Sequence, residues 1–580
     1  MALRPDLPLA VGPGNAEQEV SPHAFRSLLE RVPTGVEGTA TLLDAIRRLN
    51  RVRLTAEERE ACLAAAQPLL ESRLQALTTH QRAHRFPLPP RSREVIRMAL
   101  SLRAETALGH LTLAVEAEST ADTARILRAS VAALRLWNQH LLRTAQLYQT
   151  PGNRFWHNVH AAYALAERIA STDRCVDGLS PAEAYKRILL FATGHGQALG
   201  RADAEHVAEW LTQWAHVSRL HADAGGAGRH AFGVDLGRAA GPRRLALLEP
   251  AQPGDLRVLE VEAVVAEAAR SARIGGRKRP HGPSRHALSV VLGHWRQQTL
   301  RRRTRKPHQR RADVEVGLRA IRERVWQAEH KAATLAQGEG SDQPPHDDGN
   351  LSIARDADEL RDPYADFVSH PQRAGSVQRD DVWSRSLERR TSAYYRGQSA
   401  VEAAGLQQVA ANPGRAWQLN DLSARGFGLE WIGTGDSNAT VGEVVAMSVS
   451  RDGNEHWWLG TIRWLRAGDD SRFKVGVQVI ARHAWAGRVW QHDETGRPAT
   501  QAEEPGLLFA AGADGEEPDQ ILLPASMFDV GDTLELGALG REWLATLGPI
   551  HEETGSFAWF DITLSEPPSG DPDVERWEIL

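Results

Sequence analysis

Asp421-Leu422-Ser423-Ala424-Arg425-Gly426-Phe427-Gly428-Leu429 lies where one strand-like stretch, WQLNDLS, turns into another, GFGLEWI. Aspartate, serine and glycine within six residues are turn chemistry: short polar side chains bond the local backbone, and glycine relaxes the steric limits. Downstream, EVVAMSV, WWLGTIRWLR and FKVGVQVIA follow in quick succession, separated by turn-forming residues at the spacing of an all-β barrel. A second β-rich block contains GLLFAAG, QILLPASMF, TLELGAL and SFAWFDITL. These patterns predict a barrel over 414–490, a further β domain over 491–566 and a loose tail over 567–580.

Upstream of the hairpin the character changes twice. Residues 324–413 are polar, acidic and rich in Pro and Gly, GEGSDQPPHDDGN being the clearest part. Such composition buries too little apolar surface to offset the entropy of ordering, so the stretch reads as an insertion, helical near its ends and disordered in its middle. Before it, 276–323 forms a basic linker: GGRKRPHGPSR, a short helix from Ala287 to Leu300, an arginine cluster, and then DVEVGLRAI. That last segment alternates as a strand should, with Val314, Val316 and Leu318 on one face. Residues 226–275 read as a small α/β connector of two short strands and a helix.

Residues 21–225 carry helical periodicity. Leu127, Val131, Leu134, Leu141 and Tyr148 fall on one stripe; Trp156, Val159, Tyr163 and Ala166 on a second; Val207, Trp210, Leu211, Trp214 and Val217 on a third. Ser180-Pro181 with Glu183 has the form of a helix start, a hydroxyl cap followed by proline in the first turn. Amphipathic helices joined by short connections imply a bundle. Residues 1–20 read as a disordered leader. The fold class expected is therefore multidomain α+β: a helical bundle, a connector, an antiparallel barrel and a further β block.

Composition narrows the function classes. At 580 residues, 42% hydrophobic and 25% charged, the chain is ordinary globular material too long for one core. No apolar run is long enough to span a membrane, and the first residues lack a signal peptide's apolar centre. Two cysteines, Cys62 and Cys175, fit a reducing cytoplasm and not a disulfide framework, and read most simply as buried small hydrophobes. The net charge of −5 hides segregation, with Arg277 to Arg311 basic and Glu339 to Asp366 acidic.

The hairpin matches the D-x-S-x-x-G signature of PilZ domains, and the region resembles that family. GTIRWLR followed by FKVGVQVIA is similar to the PilZ pair in which a V-R-W-like strand precedes a G-V-x-F-like one. The family also uses an R-x-x-x-R element before its first strand, and Arg301-x-x-x-Arg305 stands directly upstream of DVEVGL. The spacing departs from the family, since more than a hundred residues separate Arg305 from Asp421; the insertion accounts for the gap if it loops out. A competing pair, Arg385 and Arg389, lies nearer but leads into a helix-like segment. The resemblance covers roughly Leu300 to Ala484 and implies a receptor for cyclic di-GMP, with Arg301, Arg305, Asp421, Ser423 and Gly426 as the ligand-binding residues.

The chemistry suits that ligand. A guanidinium forks onto phosphate oxygens or onto guanine O6 and N7. Asp421 would accept from guanine N1–H and N2–H or orient an arginine. Ser423 offers a hydroxyl, and Gly426 a positive-φ turn with close backbone approach. The expectation is a cytoplasmic receptor and not an enzyme, with no cofactor, no metal and no membrane span, whose helical domain meets a protein partner. Two alternatives stay open: a degenerate PilZ-like interaction protein without ligand, and a nucleic-acid binder using the basic run. His157-x-x-His160 reads as core or surface histidine, not a metal pair, for lack of other ligands at helical reach. Trp457, Trp458 and Trp464 read as barrel packing, with one of them a candidate for stacking on a base at the mouth.

Overall fold

The computed structural model describes Leu7 and residues 21–565, apart from 83–85, 223–227, 229, 250–253, 275–284, 297–305, 338–415, 424, 434, 452–453, 469–471, 492–502, 511–517 and 539. The helical part comprises α1 (Pro22–Glu30), α2 (Gly35–Leu49), α3 (Ala56–Arg82), α4 (Pro90–Glu118), α5 (Thr123–Gln146), α6 (Asn153–Arg168), α7 (Pro181–Thr193) and α8 (Arg201–Trp214). Its stripes are those of the sequence: Leu127, Val131, Leu134 and Leu141 are buried on α5, and Trp156, Val159 and Tyr163 on α6. Ser180 caps α7 by accepting from the Glu183 amide at 3.2 Å, with Pro181 in the first turn. Buried Arg59 forks onto Glu116 and bonds the Leu49 and Val52 carbonyls, tying α3 to α4 and to the end of α2.

Tyr148 corrects the stripe assigned to α5. It lies past the helix end with φ of 56°, which aims the ring away from the bundle and into the core of the neighbouring barrel.

The expected connector is a four-stranded antiparallel sheet in the order β1 (Arg219–His221), β4 (Leu256–Glu260), β2 (Phe232–Asp235), β3 (Arg243–Arg244). RRLALLEP is strand only at its two arginines and then a 3₁₀ turn, while LRVLE is strand β4 before the helix α9 (Glu262–Ile274). With α10 (Arg285–Arg296), this unit shares one hydrophobic core with the bundle, continuous from Phe25 to Trp295.

A seven-stranded antiparallel sheet follows, in the order β5 (Lys306–Ala312), β7 (Trp417–Ser423), β8 (Gly426–Trp431), β11 (Phe473–Ala481), β10 (Asn454–Ala467), β9 (Val444–Arg451), β6 (Val314–Val316). Its two end strands are consecutive in the chain, with Ala312 paired to Trp417, Val314 paired to Met447, and only Asp313 between them. The sheet therefore curls until its ends meet. Its interior is filled by Trp417, Leu419, Phe427, Leu429, Ile462, Leu465, Phe473 and Val475.

Two expectations upstream of the insertion change. The basic run holds a strand, β5, where the sequence predicts linker. DVEVGLRAI is strand only to Val316: Gly317, at φ of 99°, turns the chain, and Leu318 opens a helix, α11 (Leu318–Gln337). Leu318, Ile321 and Val325 of α11 fill the gap between the outside of this sheet (Val444, Ala446, Leu459) and Leu507, Phe509 and Phe557 of the last domain.

That domain is a closed barrel in the order β12 (Trp485–Gln491), β13 (Glu504–Phe509), β14 (Gln520–Pro524), β17 (Phe557–Ser565), β16 (Arg541–Glu553), β15 (Thr533–Ala538). Among the described residues no helix is long and apolar enough to cross a membrane.

Candidate functional site: a glycine-floored shelf on the first barrel

The D-x-S-x-x-G stretch is the β7–β8 hairpin. Ser423 pairs with Gly426, and the Ser423 hydroxyl donates to the Gly426 carbonyl at 2.9 Å. The Val479 amide donates to the Arg425 carbonyl at 3.0 Å, which pins the turn to β11. Gly426 is needed for a reason other than the one expected. Its φ is not positive; a Cβ there would stand 2.3 Å from the Val477 carbonyl oxygen, so only glycine lets the strands approach this closely.

Side-chain alternation assigns the faces. Leu419, Phe427, Leu429, Val475 and Val477 point inward. Gly428 and Gly476 therefore face outward, and they are directly paired between β8 and β11. Asp421 pairs with Gly428 from one side and Trp464 with Gly476 from the other. The Asp421 carboxylate leans over Gly428, 2.8 Å from where a Cβ would be; the Trp464 indole leans over Gly476, with Nε1 1.9 Å from the equivalent point. One row thus runs carboxylate, glycine, glycine, indole. In the next row Glu430 accepts from Asn420 at 2.9 Å and meets Lys474 at 3.6 Å, and exposed Arg466 sits 5.9 Å from the Trp464 ring centre. Two carboxylates, Asp421 and Glu430, two cations and an indole cluster over the buried glycine pair, a mixed polar and aromatic surface whose cations suit a flat ligand that carries phosphate.

Arg301 and Arg305 lie outside the described residues, as do Arg385 and Arg389. The described chain resumes at Lys306, which pairs with Leu422, and Pro307 pairs with Asp421. Asp421, Ser423 and Gly426 stand together on the hairpin. Sequence reasoning missed the Gly428–Gly476 row and the position of Trp464. The signal was present as glycines at the outward positions of Phe-Gly-Leu and Val-Gly-Val.

Two junctions join the shelf to the other domains. At the helical side, Phe86 is wedged edge-on between Tyr148 and Phe473, at 5.2 and 6.0 Å. The Ala467 amide bonds the Tyr148 carbonyl, and Arg466 reaches Gln197 in a 3₁₀ turn of the helical domain at 3.5 Å. At the C-terminal side, Arg463 of β10 donates to Gln478, the strand partner of Gly426, at 2.9 Å and forks onto Glu552 of β16. Burial pushes Glu552 up, but the Arg463 guanidinium outweighs it and holds the carboxyl below its ordinary value. His286 of α10 lies 3.9 Å from the same carboxylate, and burial holds its imidazole below its usual value.

His160 is a core residue. Its Nε2 donates to the Ala240 carbonyl at 2.9 Å and its Nδ1 accepts from the Tyr185 hydroxyl at 2.7 Å, a neutral tautomer with both nitrogens committed. Of the two free cysteines Cys62 is buried, but Cys175 is exposed, in the turn after α6 and not in a core.

Residues 23–224 match the family model described as the N-terminal domain of the cyclic-di-GMP receptor FimW, and residues 234–485 match the middle PilZ domain of the same receptor. The chain belongs to the FimW family. The FimW middle-domain match begins in the small sheet, spans the long interruption between β6 and β7, and ends at the start of β12, so the PilZ resemblance rests on the seven-stranded sheet and its hairpin. FimW is described as a receptor for cyclic di-GMP, a binding role and not a catalytic one. No curated protein and no solved structure gives a significant match.

Proposed function

We propose that this chain is a cytoplasmic receptor that takes up cyclic di-GMP on the outer shelf of the seven-stranded sheet. Asp421, Ser423 and Gly426 form one side of the site, and Arg301 and Arg305 close over the ligand from the other. The observation that carries this reading is the register of β5 on β7. Lys306 pairs with Leu422 and Pro307 with Asp421, and Arg305 is the covalent neighbour of Lys306. Consecutive Cα atoms are about 3.8 Å apart, so this register supports an approach to the acidic hairpin by an element more than a hundred residues away in the chain. The family match supports the ligand, and the mix of cations and carboxylate on the shelf supports its chemistry.

Occupancy is relayed to the helical domain, which presents the surface for a protein partner. The wedge of Phe86, Tyr148 and Phe473 and the Arg466–Gln197 contact are the physical route, provided that ligand affinity differs between two arrangements of that junction. Calorimetric titration of the full chain with cyclic di-GMP tests the reading. A charge-assisted contact contributes about 1.5–3 kcal/mol, so Asp421→Ala and Arg305→Ala should each weaken binding roughly ten- to a hundredfold. No saturable binding at micromolar ligand defeats the proposal, as does wild-type affinity after Arg301→Ala and Arg305→Ala together. Duplex binding with a steep salt dependence would instead assign the basic run to nucleic acid.

A further inference from the structure

We infer that the helical domain carries a docking groove between α3 and α5 for one amphipathic helix of a partner protein. That helix brings apolar side chains at i, i+3 or i+4 and i+7, with a carboxylate beside them for Arg103. The groove rests on the reading above that gives this domain a protein partner, and it supplies the surface and the chemistry of what binds there.

The helix α4 lies between α3 and α5 and packs on both. Near their first turns the outer two are clamped together by Arg125, which meets Glu57 at 2.7 Å and Glu60 at 2.8 Å. Beyond the clamp a cavity of about 850 Å³ opens between them. Its floor is one stripe of α4, Arg103, Thr106, His110 and Leu113, a helix face about 15 Å long. Its walls contribute lining residues over about four turns each, from Glu60 to Gln75 on α3 and from Arg128 to Arg143 on α5. The space is therefore a channel and not a bulb. Leu74 on one wall and Leu136 and Leu142 on the other are only half-buried. A channel with a helix below, a helix on each side and leucines along its walls is the form into which a further helix lays its apolar face.

Charge fixes the rest of the occupant. At the clamped end Glu60 is already committed to Arg125 and to Arg128 at 3.1 Å. α4 passes that end with Glu116 on Arg59, so Arg103 stands thirteen residues, about 20 Å, farther along the floor. Arg103 is 4% exposed, and burial, followed by the cation of Arg143, holds its guanidinium down to about 10. Arg143 lines the same cavity and meets Glu205 of α8 at 2.7 Å. Two neighbouring guanidiniums at the inner end of an apolar channel favour a carboxylate, carried in by a helix whose leucine-type side chains fill the walls.

A selection tests this. A displayed library of helix-forming peptides is panned on the full-length chain, and the recovered peptides are titrated by fluorescence anisotropy into wild type and Ala64→Trp. Ala64 lines the groove from α3 and is exposed, so an indole there fills the channel without entering the core. The recovered peptides should share the apolar spacing and an acidic position next to it. Changing that acid to its amide should weaken binding roughly ten- to a hundredfold, a comparison that leaves the protein untouched. Ala64→Trp should abolish binding while keeping the wild-type melting temperature and affinity for cyclic di-GMP. Recovery of no peptide, or of peptides with no common acidic position, overturns the inference. Palmitate binding or self-association that Ala64→Trp removes, with no peptide effect, overturns it in favour of a lipid or a second copy. Peptides that bind Ala64→Trp as well as wild type overturn the groove alone and leave the helical domain with a partner docked elsewhere.

Discussion

Replacing Glu552 with alanine should loosen the two barrels from each other by a calculable amount. Glu552 lies on β16 of the C-terminal barrel with 9% of its side chain exposed, and Arg463 of the first barrel, forked onto it, is 28% exposed. Breaking a buried ion pair by removing one partner costs about 3–5 kcal/mol, because the survivor is left charged in a poor solvent. Water reaches part of Arg463, which keeps its bond to Gln478, so the cost here falls to about 2–3 kcal/mol. For a unit of this size that is a drop of roughly 5–10 °C in the barrel transition by scanning calorimetry. The double variant Arg463→Met with Glu552→Leu should recover most of the loss, since an apolar pair of similar volume leaves no stranded charge. The pH dependence has a definite sign. The folded carboxyl titrates below its ordinary value, so its contribution is present above about pH 4.3 and disappears as pH falls through the folded value. The difference between wild type and Glu552→Ala should therefore shrink in acid. A single variant that melts with wild type at neutral pH, or a double variant as unstable as the sum of its parts, would refute the reasoning.

Phe86→Ala removes the wedge between Tyr148 and Phe473 and should cost about 3 kcal/mol, visible as separation of the helical and barrel transitions in the same calorimetric trace. Burial holds His140 and His160 at about 4 and His294 at about 3, below the ordinary value near 6.5, so each contribution is fully present above pH 6.5 and falls by about 1.4 kcal/mol per unit only between there and its folded value. Acid titration by far-ultraviolet circular dichroism should show helix loss in that window, with a shallower slope in His160→Gln.

Much of this fold is legible in the sequence because local and long-range preferences agree there. Trp156, Val159 and Tyr163 repeat at helical spacing and are buried where that spacing puts them. FKVGVQVIA alternates, and its alternate residues line a barrel. The strand β5 escaped notice because Lys-Pro-His-Gln-Arg-Arg-Ala has no apolar alternation, and of its described side chains only Ala312 is buried. Its extended form comes from the free edge of β7, a tertiary demand that overrides propensity. Leu318 fitted the phase of the preceding valines, but a positive-φ glycine resets the backbone just before it. The hairpin residues of the proposed site are legible from chemical type alone. The pairing of Gly428 with Gly476 is not legible there, because it depends on register between strands far apart in the chain.

The closing strand pair has a consequence for how the molecule comes into being. Residues 306–316 supply the last piece of a sheet whose other strands begin at Trp417. Until that piece seats, β7 and β9 each offer an unsatisfied row of amides and carbonyls, the kind of template on which chains stick to one another. During synthesis the helices can consolidate early, while the latch must wait for a partner made a hundred residues later. Truncations that cut between α10 and β6 should thus yield aggregates and not a smaller receptor, and a peptide spanning 306–316 supplied in trans should keep such fragments in solution.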